Sequence, residues 1–125
     1  MNVVDSCAWL EYLANGPNAA RFARTVEDTD HLVVPTITVY EVFKRILQQR
    51  DEPAALLVAA QMKAGHVVDL DASLALEAAR LGHGLKLPMA DAIVLATAQK
   101  HEATIWTQDS HFNGLEGVKY FPRQP

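Results

Sequence analysis

"LPMADAIVLATAQKHEATIWTQDSHF", Leu87 to Phe112, holds a helix pattern, a strand pattern and a polar turn in one run. Ala90, Ile93, Val94, Leu95, Ala96 and Ala98 crowd the segment "MADAIVLATAQKH" (89–101), which predicts a helix enclosed by protein. "ATIWT" (103–107) is short and apolar and reads as a buried strand. Within the helix, Asp91 shares a stripe with Val94, Leu95 and Ala98. A buried, unpaired carboxylate costs several kcal/mol or gives up its charge. Something must compensate it: a cation, a set of backbone donors, or a metal.

The same alternation continues on either side. "NVV" (2–4), "HLVVP" (31–35), "HVVDL" (66–70) and "VKYF" (118–121) read as further strands. "SCAWLEYLAN", "PNAARFARTVEDT", "ITVYEVFKRILQQR", "PAALLVAAQMKAG" and "ASLALEAARLGHG" read as helices between them. Strands alternating with helices imply a parallel sheet covered on both faces, an α/β fold. In such folds ligands bind outside the carboxyl ends of the strands.

The chain has 125 residues, half of them hydrophobic, which predicts one domain over residues 1–125 with a real core. No apolar run approaches the ~18 residues of a membrane span, and the start "MNVVD" has neither a basic nor a long apolar stretch. The single cysteine, Cys7, excludes an intrachain disulfide and a multi-cysteine zinc site, so a reduced cytoplasmic protein is expected. With a net charge of −4 and a pI near 5.6, the chain cannot gather a polyanion by bulk charge. Nucleic acid stays open as a substrate if bound metal inverts the local field.

Four acids fall at the sites that a parallel sheet brings together. Asp5 directly follows "NVV", Glu41 lies in the helix after "LVVP", Asp91 opens its helix, and Asp109 follows "TIW" by two residues. Two like charges about 5 Å apart repel by roughly 3 kcal/mol at an effective dielectric of 20. A hard divalent cation relieves that repulsion, and carboxylate oxygens are what Mg²⁺ and Mn²⁺ select. Each acid also has a plainer reading. Asp5 with Ser6 can cap the first helix, Glu41 can pair with Lys44 or Arg45, and Asp109 can be a turn aspartate. Capping is open to Asp91 as well, but its apolar stripe favours a site role.

These residues resemble the PIN-domain ribonucleases, specifically the VapC-type toxins of type II toxin–antitoxin systems. "VVDSCAWLEYL" is similar to the family's opening strand, first aspartate and helix. "VPTITVYEVFKRI" is similar to its glutamate segment, and "LPMADAIVLATAQKHEATIWTQDSHF" to its third-acid helix, strand and T-x-D turn. The resemblance implies a three-layer α/β/α sandwich around a four- to five-stranded parallel sheet. It implies Mg²⁺- or Mn²⁺-dependent endoribonuclease activity by metal-activated water, leaving 5′-phosphate and 3′-hydroxyl ends. It assigns catalytic and metal-holding roles to Asp5, Glu41, Asp91 and Asp109, with Ser6 and Thr107 as hydroxyls beside them. An RNA substrate, a VapB-type antitoxin and a homodimer are the implied partners. His111 stands where some members carry a further aspartate, which bears on a second metal. It reads as a surface-turn histidine or a phosphate contact.

Other signals compete. "DLDAS" (69–73) resembles the nucleophile motif of haloacid-dehalogenase-type phosphatases, with Asp69 as nucleophile at the end of a central strand. The plainer reading makes Asp71 or Ser73 the cap of the following helix. "HEATI" (101–105) lacks the second histidine of a zinc motif and reads as a helix end. Trp9, Tyr12 and Phe43 read as core or dimer contacts rather than base-stacking platforms. A non-catalytic RNA- or protein-binding module that keeps the fold is the alternative from another class.

Overall fold

A computed structural model describes residues 1–125. Five strands form one sheet: β1 (Asn2–Val4), β2 (Leu32–Pro35), β3 (His66–Val68), β4 (Thr104–Thr107) and β5 (Val118–Tyr120). Their order is β3-β2-β1-β4-β5, and every neighbouring pair is parallel. Six helices cover it: α1 (Ser6–Leu13), α2 (Ala19–Glu27), α3 (Thr36–Gln49), α4 (Glu52–Met62), α5 (Ala72–Leu85) and α6 (Met89–Lys100). The expected α/β/α sandwich is therefore present, with five strands. Two 3₁₀ turns, Thr29–His31 and Ser110–Phe112, were not foreseen from the sequence.

Strand alternation divides the core. Successive side chains of a strand point to opposite faces, so Val4, Leu32 and Val34 pack with Trp9, Phe22, Val42 and Met62 on one side. Val3, Val33 and Ile105 pack with Val94, Leu95, Ala98 and Phe112 on the other. Full burial of a large apolar side chain contributes roughly 1.5–3 kcal/mol, and Trp9 and Phe22 are at most 1% exposed. Register locks the centre: Val3 lies between Val33 and Ile105, and Val4 opposes Trp106. Helix α6 is buried at every residue from Ala92 to Ala98 because the sheet lies on one side and α5 on another. Gly82 permits that approach, since a Cβ there would sit 3.2 Å from the Ala92 Cβ.

The strand order has one consequence for function. From β1 the chain moves outward through β2 to β3, then crosses back to build β4 and β5 on the other side of β1. The reversal falls between β1 and β4, and a crevice opens there outside the strand ends. Asp5 follows β1 and Asp109 follows β4, so both flank that crevice. Asp69 follows β3, an edge strand, and is exposed. The phosphatase reading needs a central strand at that position, and the sheet does not supply one.

Candidate active site

Asp5 is the best-anchored of the four acids. It is 3% exposed, and its backbone N–H donates to the Trp106 carbonyl at 3.0 Å, which ties it to the end of β4. Its carboxylate accepts from the Ser6 N–H at 2.9 Å, from the Thr107 hydroxyl at 2.9 Å and from the Cys7 thiol at 3.4 Å. It is thus the N-cap of α1 as well as a site carboxylate. Burial raises its pKa, the hydrogen bonds from Thr107, Ser6 and Cys7 oppose the rise, and the Asp109 charge adds to it. Thr107 is fully buried, and its Oγ1 also accepts the Asp109 N–H at 2.9 Å. One hydroxyl therefore bridges the Asp5 carboxylate and the Asp109 backbone.

The other three acids reach the same edge. Glu41 has its pKa raised by burial first, then by the charges of Asp5 and Asp109, with the Ser6 side chain lowering it. No salt bridge joins Glu41 to Lys44 or Arg45. Asp91 caps nothing: the residue at the start of α6 is Pro88, with no side-chain cap bond. Its side chain is 13% exposed. Burial, then the charges of Asp109 and Asp5, push its pKa from 3.8 up to about 6, against the pull of His111. Asp109 accepts the His111 N–H at 2.9 Å and opens the 3₁₀ turn. The charge of Asp109 thus bears on Asp5, Glu41 and Asp91, and that of Asp5 on Glu41 and Asp91.

His111 departs from the sequence reading. Although its side chain is 55% exposed, its ring is turned onto the acids. Nδ1 lies 2.9 Å from Asp91 Oδ2 and 3.1 Å from Asp109 Oδ1. Its pKa is raised by the Asp109 charge first, with Asp91 adding to the rise. Asp91, Asp109 and His111 bring one donor atom each within 4.8 Å of one another. Asp5 and Glu41 stand outside that compact triple but within electrostatic reach of it. Cys7 also went unforeseen. Burial, then the Asp5 charge, hold its thiol near a pKa of about 12, so it is a neutral donor here. Its only sequence signal was its place two residues after Asp5.

A cleft of about 990 Å³ begins beside the acids, at Ser6, Cys7 and Gln108. It continues between α1, α3 and α4, where Arg45, Arg50 and Arg123 line it against two acids, Glu11 and Asp51. The cleft is net positive in a protein of net charge −4. Leu10, Leu13, Ile46 and Leu57 give it apolar walls. Asn18, 1% exposed, supports its rim by donating to Gln108 Oε1 at 3.0 Å and to the Pro122 carbonyl at 2.9 Å.

The sequence model of the PIN domain matches residues 3–118. The chain belongs to the PIN-domain family. Solved structures share its fold throughout. A toxin–antitoxin complex from Klebsiella pneumoniae matches with a TM-score of 0.83 at 20% identity, covering 98% of this chain and 100% of that one. VapC20 from Mycobacterium tuberculosis, described as a sarcin-ricin-loop-cleaving toxin, gives 0.78 at 17% identity, with 98% and 100% covered. DNA-bound VapBC from Salmonella typhimurium gives 0.72 at 15% identity, with 98% of each chain covered. The PIN fold expected from the sequence is the fold observed. A comparison with curated protein sequences gives no significant match. No helix of this PIN domain is long and apolar enough to cross a membrane.

Proposed function

We propose that this chain is a cytoplasmic, divalent-metal-dependent endoribonuclease, the toxin of a toxin–antitoxin pair, acting as a single domain over residues 1–125. The observation that carries the reading is the convergence at the switch point of the sheet, where Asp91, Asp109 and His111 bring donor atoms within 4.8 Å of one another and Thr107 ties the Asp5 carboxylate to the Asp109 backbone. The only cation within that cluster's contacts is His111, and an imidazolium does not balance four carboxylates. The four acids offer carboxylate oxygens, a set that fits Mg²⁺ or Mn²⁺. When bound, such a cation supplies charge stabilisation at a phosphoryl group and a more acidic water.

The chain's own residues do the rest. Asp5, Glu41, Asp91 and Asp109 hold the cation, and Ser6 and Thr107 fix the carboxylates that hold it. His111 is the one imidazole beside the acids, and its Nδ1 is engaged by Asp91 and Asp109, so proton transfer is assigned to the carboxylates. Arg45, Arg50 and Arg123 offer phosphate contacts along the cleft, which orient a strand toward the acids. Single-stranded or loop RNA suits the site, since in-line attack needs a backbone that can be splayed. The products are then 5′-phosphate and 3′-hydroxyl ends.

A VapB-type antitoxin fits the same cleft. Its apolar walls accept an amphipathic segment, and a basic side chain reaching the acids would replace the metal's charge. The comparison structures that contain toxin–antitoxin complexes support such a partner. A homodimer belongs to the same reading, and Leu76 on α5 and Met89 on α6, 61% and 75% exposed, are apolar side chains open to a second copy.

The test incubates purified protein with a structured RNA and Mg²⁺ or Mn²⁺, with and without the product of the neighbouring gene. Cleavage that stops with EDTA and with the partner, and leaves 5′-phosphates, is expected. Cleavage that survives EDTA or leaves cyclic phosphates refutes the proposal.

A further inference from the structure

We infer that His111 is a nitrogen ligand of the metal centre and tilts the site toward a first-row transition ion, Mn²⁺ above all, and away from Mg²⁺. The inference rests on the metal-dependent reading above and sharpens it.

The geometry is convergent. His111 Nδ1 approaches Asp91 Oδ2 at 2.9 Å and Asp109 Oδ1 at 3.1 Å, and donor atoms of all three lie within 4.8 Å of one another. They come from two separate segments, the first turn of α6 and the Ser110–Phe112 turn. Asp109 Oδ1 also accepts the His111 backbone N–H at 2.9 Å, which keeps residue 111 beside the acids. Packing does not require the histidine. Its side chain is 55% exposed and belongs to none of the hydrophobic clusters.

Ligand chemistry then decides the ion. Mg²⁺ asks for an oxygen octahedron and sheds water reluctantly. Imidazole nitrogen is a softer donor that suits the transition ions better than it suits Mg²⁺. Replacing one oxygen donor by His111 nitrogen therefore weakens Mg²⁺ relative to Mn²⁺. An all-oxygen site also holds Mn²⁺ more tightly than Mg²⁺, so the ratio alone is not diagnostic. Its change on removing the nitrogen is. The rival role for His111 is that of a counter-ion, displaced whenever any metal enters. On that reading, removing the ring tightens both ions by the same factor.

Wild type, His111→Ala and His111→Asp are compared, with circular dichroism showing that each is folded. Mn²⁺ binding is followed by the electron paramagnetic resonance of the free ion, Mg²⁺ by competition against it. Electron spin-echo modulation of the bound Mn²⁺ reports a directly coordinated ¹⁴N. The expected result is ¹⁴N modulation in wild type that vanishes in both variants. The Mn²⁺-to-Mg²⁺ affinity ratio falls on the order of tenfold in both, and His111→Asp keeps or gains Mg²⁺ affinity. Equal modulation in wild type and His111→Ala, or an unchanged ratio, overturns the inference. If wild type binds Mn²⁺ and cleaves RNA in those cases, the nuclease reading stands without this ligand. A wild type that binds no divalent ion removes both.

Discussion

Replacing Asp91 by Asn should stabilise the metal-free protein and abolish its metal response. The carboxylate makes no helix-cap bond, and its recorded partner is the His111 ring. Its pKa stands at about 6 against 3.8 for the free group. At 1.36 kcal/mol per pH unit that rise corresponds to roughly 3 kcal/mol of penalty on the charged form. The neighbouring ring is open to solvent, and screening there lowers the figure to about 1.5 kcal/mol. Losing a negative charge from a helix N-terminus subtracts about 0.5 kcal/mol. The net gain is about 1 kcal/mol, or about 4 °C in Tm for a domain of this size.

The sign follows from which state holds the proton. A carboxylate with a raised folded pKa carries no penalty below pH 3.8, and the penalty grows as pH rises toward 6 and is complete above it. The advantage of Asp91→Asn should therefore be largest at pH 8 in EDTA. It should shrink toward pH 5, where the wild-type carboxyl is protonated and any remaining carboxylate pairs with charged His111. Thermal melts across that range, in EDTA and in Mn²⁺, provide the assay. Wild type at free Mn²⁺ 100-fold above its Kd should gain about 2.7 kcal/mol, and the variant little or nothing. A variant less stable than wild type at pH 8 in EDTA would refute the reasoning. So would an equal Mn²⁺ shift in both proteins.

Three further outcomes can be checked directly. Thr107→Val keeps shape but takes from the buried Asp5 carboxylate one of its three donors and leaves the Asp109 N–H without its acceptor. It should cost about 1–3 kcal/mol in urea unfolding, where a loss under 0.5 kcal/mol would contradict the role given to this hydroxyl. Metal affinity measured by calorimetry should climb from about pH 5, as Asp91 loses its proton, and go on climbing until His111, whose pKa is raised above its usual value, has lost its proton too; a flat profile would exclude Asp91 as a ligand. Asp69→Asn, on an exposed residue after the edge strand, should leave RNA cleavage within about twofold of wild type, while the phosphatase reading requires its loss.

Much of this arrangement was readable from residue order. Side-chain period and strand–helix alternation predicted all five strands and the helices around them, because one buried face must repeat at two or at 3.6 residues. Handed, parallel connections put every βα junction at one edge, so Asp5, Glu41, Asp91 and Asp109 could be assigned to that edge without coordinates. The anomaly of a carboxylate among Val94, Leu95 and Ala98 already signalled that the edge carries charge for a purpose. Asp71 as the cap of α5 was also legible, and its carboxylate accepts the Leu74 N–H at 2.8 Å.

Tertiary structure alone decided the rest. The 3₁₀ turn at Ser110–Phe112 has no periodic signature, so nothing local to "DSHF" announced that the His111 ring folds back onto Asp91. Cys7 and Thr107 touch because Asp5 is stitched to β4 through Trp106, a pairing of strands about a hundred residues apart. Arg123 joins Arg45 and Arg50 along the same cleft only when the C-terminal segment is drawn in, where Asn18 donates to the Pro122 carbonyl. Periodicity reports which face of an element is buried. Which donor meets which acceptor depends on distances between elements, and those exist only once the sheet has closed its register.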